Sequence, residues 1–312
     1  MLRVRNRTTH SAAEPDISPA QGTHSAARFV MSTGGLGRLP HLGVLQFTGA
    51  DALQFLQGQL SNDTQRLAER IALLAAYSSA QGRVLALIYL LPHSSGVLGL
   101  LPRDILKPTL ERMRKFILRA KVQIEDLSDS WAVAGRFGAQ SSAGYVECDG
   151  IGTAPVGRDP SRSWVVGPAE AEAPSVENAW RLADIRAGLP QIYAATSEAF
   201  VAQMLNLDLL DAISFTKGCY TGQEIIARTQ HLGRIKRRLF RVSLPAGDWA
   251  IGQPVSVLDR RQGRLVEVGK SPEGTEGLAV LNVEPSSFSA TDAAGGTVAV
   301  PATELPLPYR VP

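Results

Sequence analysis

Lys217-Gly-Cys-Tyr-Thr-Gly-Gln-Glu-Ile-Ile-Ala-Arg228 is the segment whose reading decides this chain. The Thr221-Gly-Gln-Glu224 spacing predicts a capping box, in which the threonine hydroxyl and the glutamate carboxylate satisfy orphan N–H groups reciprocally. A helix is then expected from Gly222, with Gly233 as its stop. Cys219 lies just ahead of that N-terminus, with Lys217 two residues before it, and both features favour a thiolate. Two readings of Cys219 stand on this chemistry alone. One is a reactive thiol, the other a small buried turn residue of the inert kind.

Upstream of this segment the patterning mixes strands and helices. Leu42 to Thr48 reads as a strand, followed by a helix from Ala50 to Leu60 with Asp51 at its positive end and Asn62-Asp63 as its stop. Arg83 to Leu91 and Val97 to Leu101 form an apolar strand pair around the Pro92-His-Ser-Ser-Gly96 turn. Asp104 to Arg119 is expected as an amphipathic helix burying Leu106, Leu110, Met113 and Ile117. Lys121 to Ile124 and Trp131 to Ala134 return as strands. Gly138 to Gly157 reads as loop with short strand pieces, and Trp164 to Val166 as a further strand. Ser175 is placed to cap a helix that ends at Gly188 before Pro190, and Glu198 to Ile213 is expected as another helix. After about Arg237, short Val- and Leu-bearing runs separated by Gly, Pro and Asp point to a small antiparallel barrel.

Composition narrows the class. The 312 residues are enough for two or three packing units, and 44% hydrophobic with 20% charged residues is an ordinary globular balance. A net charge of +3 is too small, over this length, to mark a nucleic-acid or membrane binder. Two cysteines, Cys148 and Cys219, exclude a disulfide scaffold and point to a reducing compartment. The apolar run from Val84 to Leu101 is broken at Pro92–Gly96 and falls short of the roughly 20 residues of a membrane span, so a soluble protein is expected. His41, His93 and His231 share no metal spacing, and neither a serine-nucleophile elbow nor a phosphate loop occurs. Residues 1–32 show no apolar period and are expected as a disordered tail. Their arginines suit an organellar transit peptide, but Pro15 and Pro19 break the amphipathic helix such a segment needs.

The Lys217–Glu224 signature, with Arg228 and Gly233, resembles that of the YgfZ family, folate-binding proteins related in fold to the aminomethyltransferase T-protein of glycine cleavage. Thr48-Gly-Ala-Asp51, Phe55-Leu-Gln-Gly-Gln-Leu-Ser-Asn-Asp63, Gln81-Gly82-Arg83, Ala187-Gly188-Leu-Pro190 and Leu305-Pro-Leu-Pro-Tyr309 fit in order, so the resemblance covers roughly residues 40 to 310. It implies an α+β, T-protein-like, three-lobed body around a central folate cavity, residues 33–235, and a small C-terminal antiparallel β-barrel, residues 236–312. The implied cofactor is tetrahydrofolate or a one-carbon derivative. The implied role is accessory: support of iron–sulfur cluster synthesis or repair, and through iron–sulfur client enzymes or assembly proteins, of tRNA modification in a bacterial-type cytoplasm. A mitochondrial matrix location is the minority alternative. Carried onto this chain, the resemblance implies Trp180, Asp184, Gln203, Asn206, Tyr220, Gln223, Glu224 and Arg228 as cofactor-binding residues, with Cys219 and Lys217 as the reactive pair.

Two departures qualify it. Many relatives carry a glutamate just before Ala187-Gly188, suited to the pterin's donor edge; here Arg186 stands there, and arginine accepts no hydrogen bonds. Aminomethyltransferases carry an aspartate in the stretch matching Ala80 to Ile88, where this chain has only apolar residues around Arg83. Without that carboxylate an acid–base step lacks its partner. A folate-dependent aminomethyl transferase is therefore an alternative rather than the first reading. For Trp180, stacking on the folate competes with plain helix packing. A second alternative, an RNA-binding accessory protein, rests on Arg228, Arg234, Lys236, Arg237, Arg238 and Arg241, with no acid between Glu224 and Asp248. Only Phe240 offers base stacking there, so direct nucleic-acid binding is not expected.

Overall fold

Long apolar runs with few breaks build two sheets, buried on both faces where helices or the second sheet cover them. The computed structural model describes residues 35–138, 144–157, 159–169, 173–257, 261–284 and 301–312; the expected tail, residues 1–32, lies outside them. In chain order, β1 (Leu36–Arg38) and β2 (Leu42–Thr48) precede α1 (Ala52–Gln59). Then come β3 (Leu73–Ser78), β4 (Val84–His93), β5 (Gly96–Pro102) and α2 (Arg103–Arg114). Five further strands follow: β6 (Gln123–Asp126), β7 (Trp131–Phe137), β8 (Val146–Cys148), β9 (Ile151–Val156) and β10 (Asp159–Pro168). After α3 (Glu177–Ala187) and α4 (Gln223–Leu232) the chain closes with β11 (Arg237–Leu244), β12 (Pro254–Val257), β13 (Gln262–Ser271), β14 (Gly274–Asn282) and β15 (Pro301–Leu305).

One sheet runs β3-β4-β5-β2-β6 and the other β1-β7-β10-β9-β8. Val84 to Leu91 is nearly continuous in burial because β4 lies inside its sheet, which is why it reads as an unbroken apolar run rather than an alternation. Both sheets share one hydrophobic core that runs from Leu39 through Trp164 and Trp180 to Val280. The last five strands form a closed barrel in the order β11-β14-β13-β12-β15, with its own core around Val242, Leu265 and Ala279. Its pairing is antiparallel except for β12 against β15, which is parallel. α3 docks on β13: Gly269 packs closely on Ile185 and Leu182, and Arg181 meets buried Glu267 at 2.7 Å. That docking fixes the barrel relative to α3.

Several expected elements change. Glu198 to Ile213 forms no α-helix, only a short 3-10 turn at Ala202–Leu205. Its backbone is claimed by β4 instead: Glu198 N–H donates to Val84 O and Val84 N–H to Phe200 O, both at 2.8 Å. Glu198, Asn206 and Asp211 also adopt left-handed φ values of 63°, 57° and 55°, which no helix tolerates. α2 ends five residues early, because after Arg114 the N–H groups of Phe116 and Ile117 bond three residues back and tighten the last turn. Asp51 lies one position outside α1, and its carboxylate accepts the Lys121 N–H at 2.7 Å rather than capping the helix. Gly188 closes α3 at φ 68°, as expected from the sequence, but Val176 rather than Ser175 takes the N-cap position; Ser175, one residue further out, accepts only the Glu177 N–H at 3.3 Å.

Candidate functional site

α3, β3, β4 and β10 enclose a cavity of about 860 Å³ together with the 208–211 turn and the C-terminal Pro308-Tyr309. Its apolar wall is Ile71 to Leu74, Ala183, Ala187, Leu189, Tyr89 and Trp164. Tyr89 and Trp164 lie 4.3 Å apart between ring centroids and tilted by 52°, and the Trp164 indole N–H is buried with no partner among the described residues. Gly188 and Tyr309 meet at the rim. The Tyr309 hydroxyl donates to Gly188 O at 2.8 Å, and a side chain at residue 188 would collide with the ring. Two blocks 121 residues apart are thereby joined at one wall.

The charged groups of this wall are paired. Arg162 bridges Asp159 at 2.6 Å and Asp184 at 2.8 Å, and its guanidinium covers the Trp180 ring. Burial pushes the Asp184 carboxyl up to about 6 against the pull of Arg162. Burial also resists ionisation of Asp159, but Ser161 and Arg162 hold its carboxyl below the usual range. Arg66 pairs with Asp211 at 3.0 Å, and buried Arg238 grips Asp208 through two bonds at 2.6 and 2.9 Å. Arg186 faces the cavity and donates to Glu276 of β14, whose other oxygen takes Arg241.

The structure separates the residues expected at the site. Trp180 is fully buried behind Trp164, 6.2 Å away between centroids, with Phe137 at its edge and Gly135 beneath its ring. Asp184 stands beside the cavity wall through Arg162. Gln203 and Asn206 are fully buried, tying the chain to Ile226 O at 2.7 Å and Leu239 O at 2.9 Å. Tyr220, Gln223, Glu224 and Arg228 are not among the cavity-lining residues. Trp164, Tyr89, Asp159, Asp208, Asp211 and Arg66, which sequence reasoning missed, are.

The Lys217–Arg228 segment instead makes a second feature. Lys217 is buried, its ammonium donating to Leu60 O and Asn62 O at 2.7 Å each and sitting 5.0 Å from the Tyr220 ring. Burial pushes that ammonium down to about 8, with Asp63 opposing. The capping box does not form. α4 starts at Gln223 after Gly222, whose φ of 83° no threonine cap supports and whose Cβ position would lie 2.6 Å from Ser79 O. Close packing of Gly222 on the Ser78–Gly82 turn, with Gly82 against Ile225, sets the helix start instead. Thr221 N–H donates to Gly58 O at 3.3 Å. Three blocks that resemble the family thus converge under an exposed Cys219, which removes the buried-turn reading of that thiol. Asn62 also donates to Asp211 O at 2.7 Å, so this cluster backs directly onto the cavity.

The basic run is dispersed. Arg238 and Arg241 pair inward with Asp208 and Glu276, Arg234 with Glu284 at 2.5 Å, and Arg237 donates to Asn282 at 3.0 Å. Among the described residues no group of His, Cys, Asp and Glu is placed to hold a metal ion, and no helix is long and apolar enough to cross a membrane.

No family model matches the chain. Comparison with individual proteins finds "tRNA-modifying protein YgfZ" of Yersinia pestis, 30% identical over 308 residues, which span 86% of this chain and 90% of that one. The protein of the same name from Colwellia psychrerythraea is 32% identical over 225 residues, 65% of this chain and 69% of its own. Among solved structures, aminomethyltransferase T of the glycine cleavage system from Bartonella henselae superposes with a TM-score of 0.58 at 12% identity, covering 80% of this chain and 78% of that one. The α+β body with its closed barrel is therefore an aminomethyltransferase T-like fold.

Proposed function

This chain belongs to the YgfZ family, and from that premise we propose that it binds tetrahydrofolate or a one-carbon derivative and supports tRNA modification as an accessory protein of iron–sulfur enzymes. The observation that carries the ligand reading is the cavity. Its volume lies within the range of small-molecule sites, and its walls are mostly apolar with a few fixed polar groups. The Tyr89–Trp164 pair gives the wall an aromatic edge suited to packing against a pterin or aminobenzoyl ring. Asp159 suits a donor edge, and Arg186 an acidic one. The residues present therefore fit a folate, with Trp180 and Asp184 supporting the wall from behind. A bound folate would supply a one-carbon unit or its carrier; the chain's own residues bind and orient it.

Exposed Cys219, seated on a rigid turn that backs onto the cavity, is proposed as the group through which clients are engaged. The test is a titration with tetrahydrofolate followed by tryptophan fluorescence and calorimetry. Saturable binding in the low-micromolar range or weaker, about −8 kcal/mol or less favourable, is expected. No heat and no thermal shift at millimolar ligand would refute the ligand reading. Failure of the gene to restore iron–sulfur tRNA-modifying activity in a deletion strain would refute the accessory role.

A further inference from the structure

We propose that Arg186 is the anchor for the carboxylate arm of the folate, an assignment that rests on the tetrahydrofolate reading above. Arg186 lines the cavity from the last turn of α3, and its side chain remains 47% exposed. Its Nε and Nη2 both donate to one Glu276 oxygen, at 3.0 and 2.7 Å, while its Nη1 has no partner among the described residues. Glu276 in turn accepts Arg241 on its second oxygen at 2.8 and 2.6 Å. The guanidinium is thus held in place by the barrel before any ligand arrives, with one edge left open. A planar fork held in this way is suited to a carboxylate.

The charges around the cavity are unevenly matched. Arg66 is matched by Asp211, and Arg238 by Asp208. Arg162 faces two acids, Asp159 and Asp184, so that cluster leans negative. Arg186 and Arg241 share the single carboxylate of Glu276, so this cluster leans positive. Glu273 also reaches Arg186 electrostatically, but it is fully exposed and solvent screens it. Of a folate's two ends, the pterin presents amine and amide donors and the glutamyl arm presents carboxylates. The arm is the end that the positive Arg186–Arg241 cluster suits. The arginine standing where a pterin-binding glutamate is expected then has a use: it reads the other end of the same molecule.

The experiment compares two probes, tetrahydrofolate and 6-methyltetrahydropterin, which lacks the arm, on wild type, R186A and R186E by calorimetry. Circular dichroism and thermal melts establish that the variants fold; this half-exposed side chain can be lost without opening the core. R186A should weaken tetrahydrofolate roughly tenfold and R186E by more, and the salt dependence of binding should diminish. Binding of 6-methyltetrahydropterin should stay within about twofold of wild type in both variants. If wild type binds tetrahydrofolate and both variants bind it equally well, the Arg186 assignment is overturned while the folate reading survives. Equal loss of both probes also overturns it, because Arg186 would then serve the pterin or the shape of the wall. If wild type binds neither probe, the folate reading falls and this inference falls with it.

Discussion

Lys217→Met removes a buried ammonium and leaves behind the two carbonyls it serves. Leu60 O and Asn62 O each lose a bond of 2.7 Å, and a buried acceptor left unpaired costs about 1–3 kcal/mol. Methionine keeps the apolar stem and its volume, so the packing term is small. Against that loss stands the cost of burying the charge, which has a definite pH signature. Desolvation lowers this amine from 10.5 to about 8. Below pH 8 both folded and unfolded chains carry the proton, and the full cost of burial is present. Between 8 and 10.5 the folded chain sheds it first, the unfolded chain binds more protons, and stability rises with pH. At about 1.4 kcal/mol per pKa unit the ceiling is about 3 kcal/mol. Water near the ammonium screens part of this, leaving about 2 kcal/mol. The variant has no such gain. It should be less stable than wild type by about 2 kcal/mol at pH 7, and the gap should widen by about as much again at pH 10.5. Urea unfolding at a series of pH values measures both curves, and the other titrating groups cancel in the difference. Parallel curves from pH 8 to 10.5 would refute the reasoning.

Trp180→Ala empties a fully buried site under Gly135 and should cost about 3–5 kcal/mol, read as a lower urea midpoint; an unchanged midpoint would contradict its place in the core. Trp164→Phe should abolish most of the fluorescence change on tetrahydrofolate binding, since Trp164 is the indole that lines the cavity; an undiminished change would locate the ligand elsewhere. Because Val84 to Tyr89 carries only apolar residues, no exchange with the lipoylated carrier of glycine cleavage is expected, and turnover above background in a reconstituted assay would promote the transferase alternative. Cys219→Ser and Cys148→Ser are both exposed changes that should fold. Only Cys219→Ser should fail to restore iron–sulfur enzyme activity in a deletion strain; equal rescue by both would remove the functional role of Cys219.

Local chemistry carried a good part of the architecture. The β4–β5 hairpin around Pro92–Gly96, α3 between Ser175 and Gly188, and the onset of the barrel at Arg237 were all legible, because each depends on neighbours in sequence: apolar runs, a left-handed glycine, a turn. The signature from Lys217 to Arg228, with its companion blocks, also sufficed to identify the family. What the sequence could not show was how distant segments compete for the same backbone. Glu198 to Ile213 has the composition of a helix, yet β4 takes its hydrogen bonds. Thr221 and Glu224 have the spacing of a capping box, yet Gly222 is held in a left-handed turn by Ser79, and the box never closes. The cavity shows this most clearly. Its wall joins Tyr89, Trp164, Arg186 and Tyr309, residues with no common motif or period, while Trp180, the aromatic the family resemblance points to, is turned into the core. Periodicity reports which face of an element is buried, but a buried face can meet either packed side chains or a ligand space. Only the superposition of two sheets, a helix and the barrel decides which, because a cavity is defined by what fails to fill it.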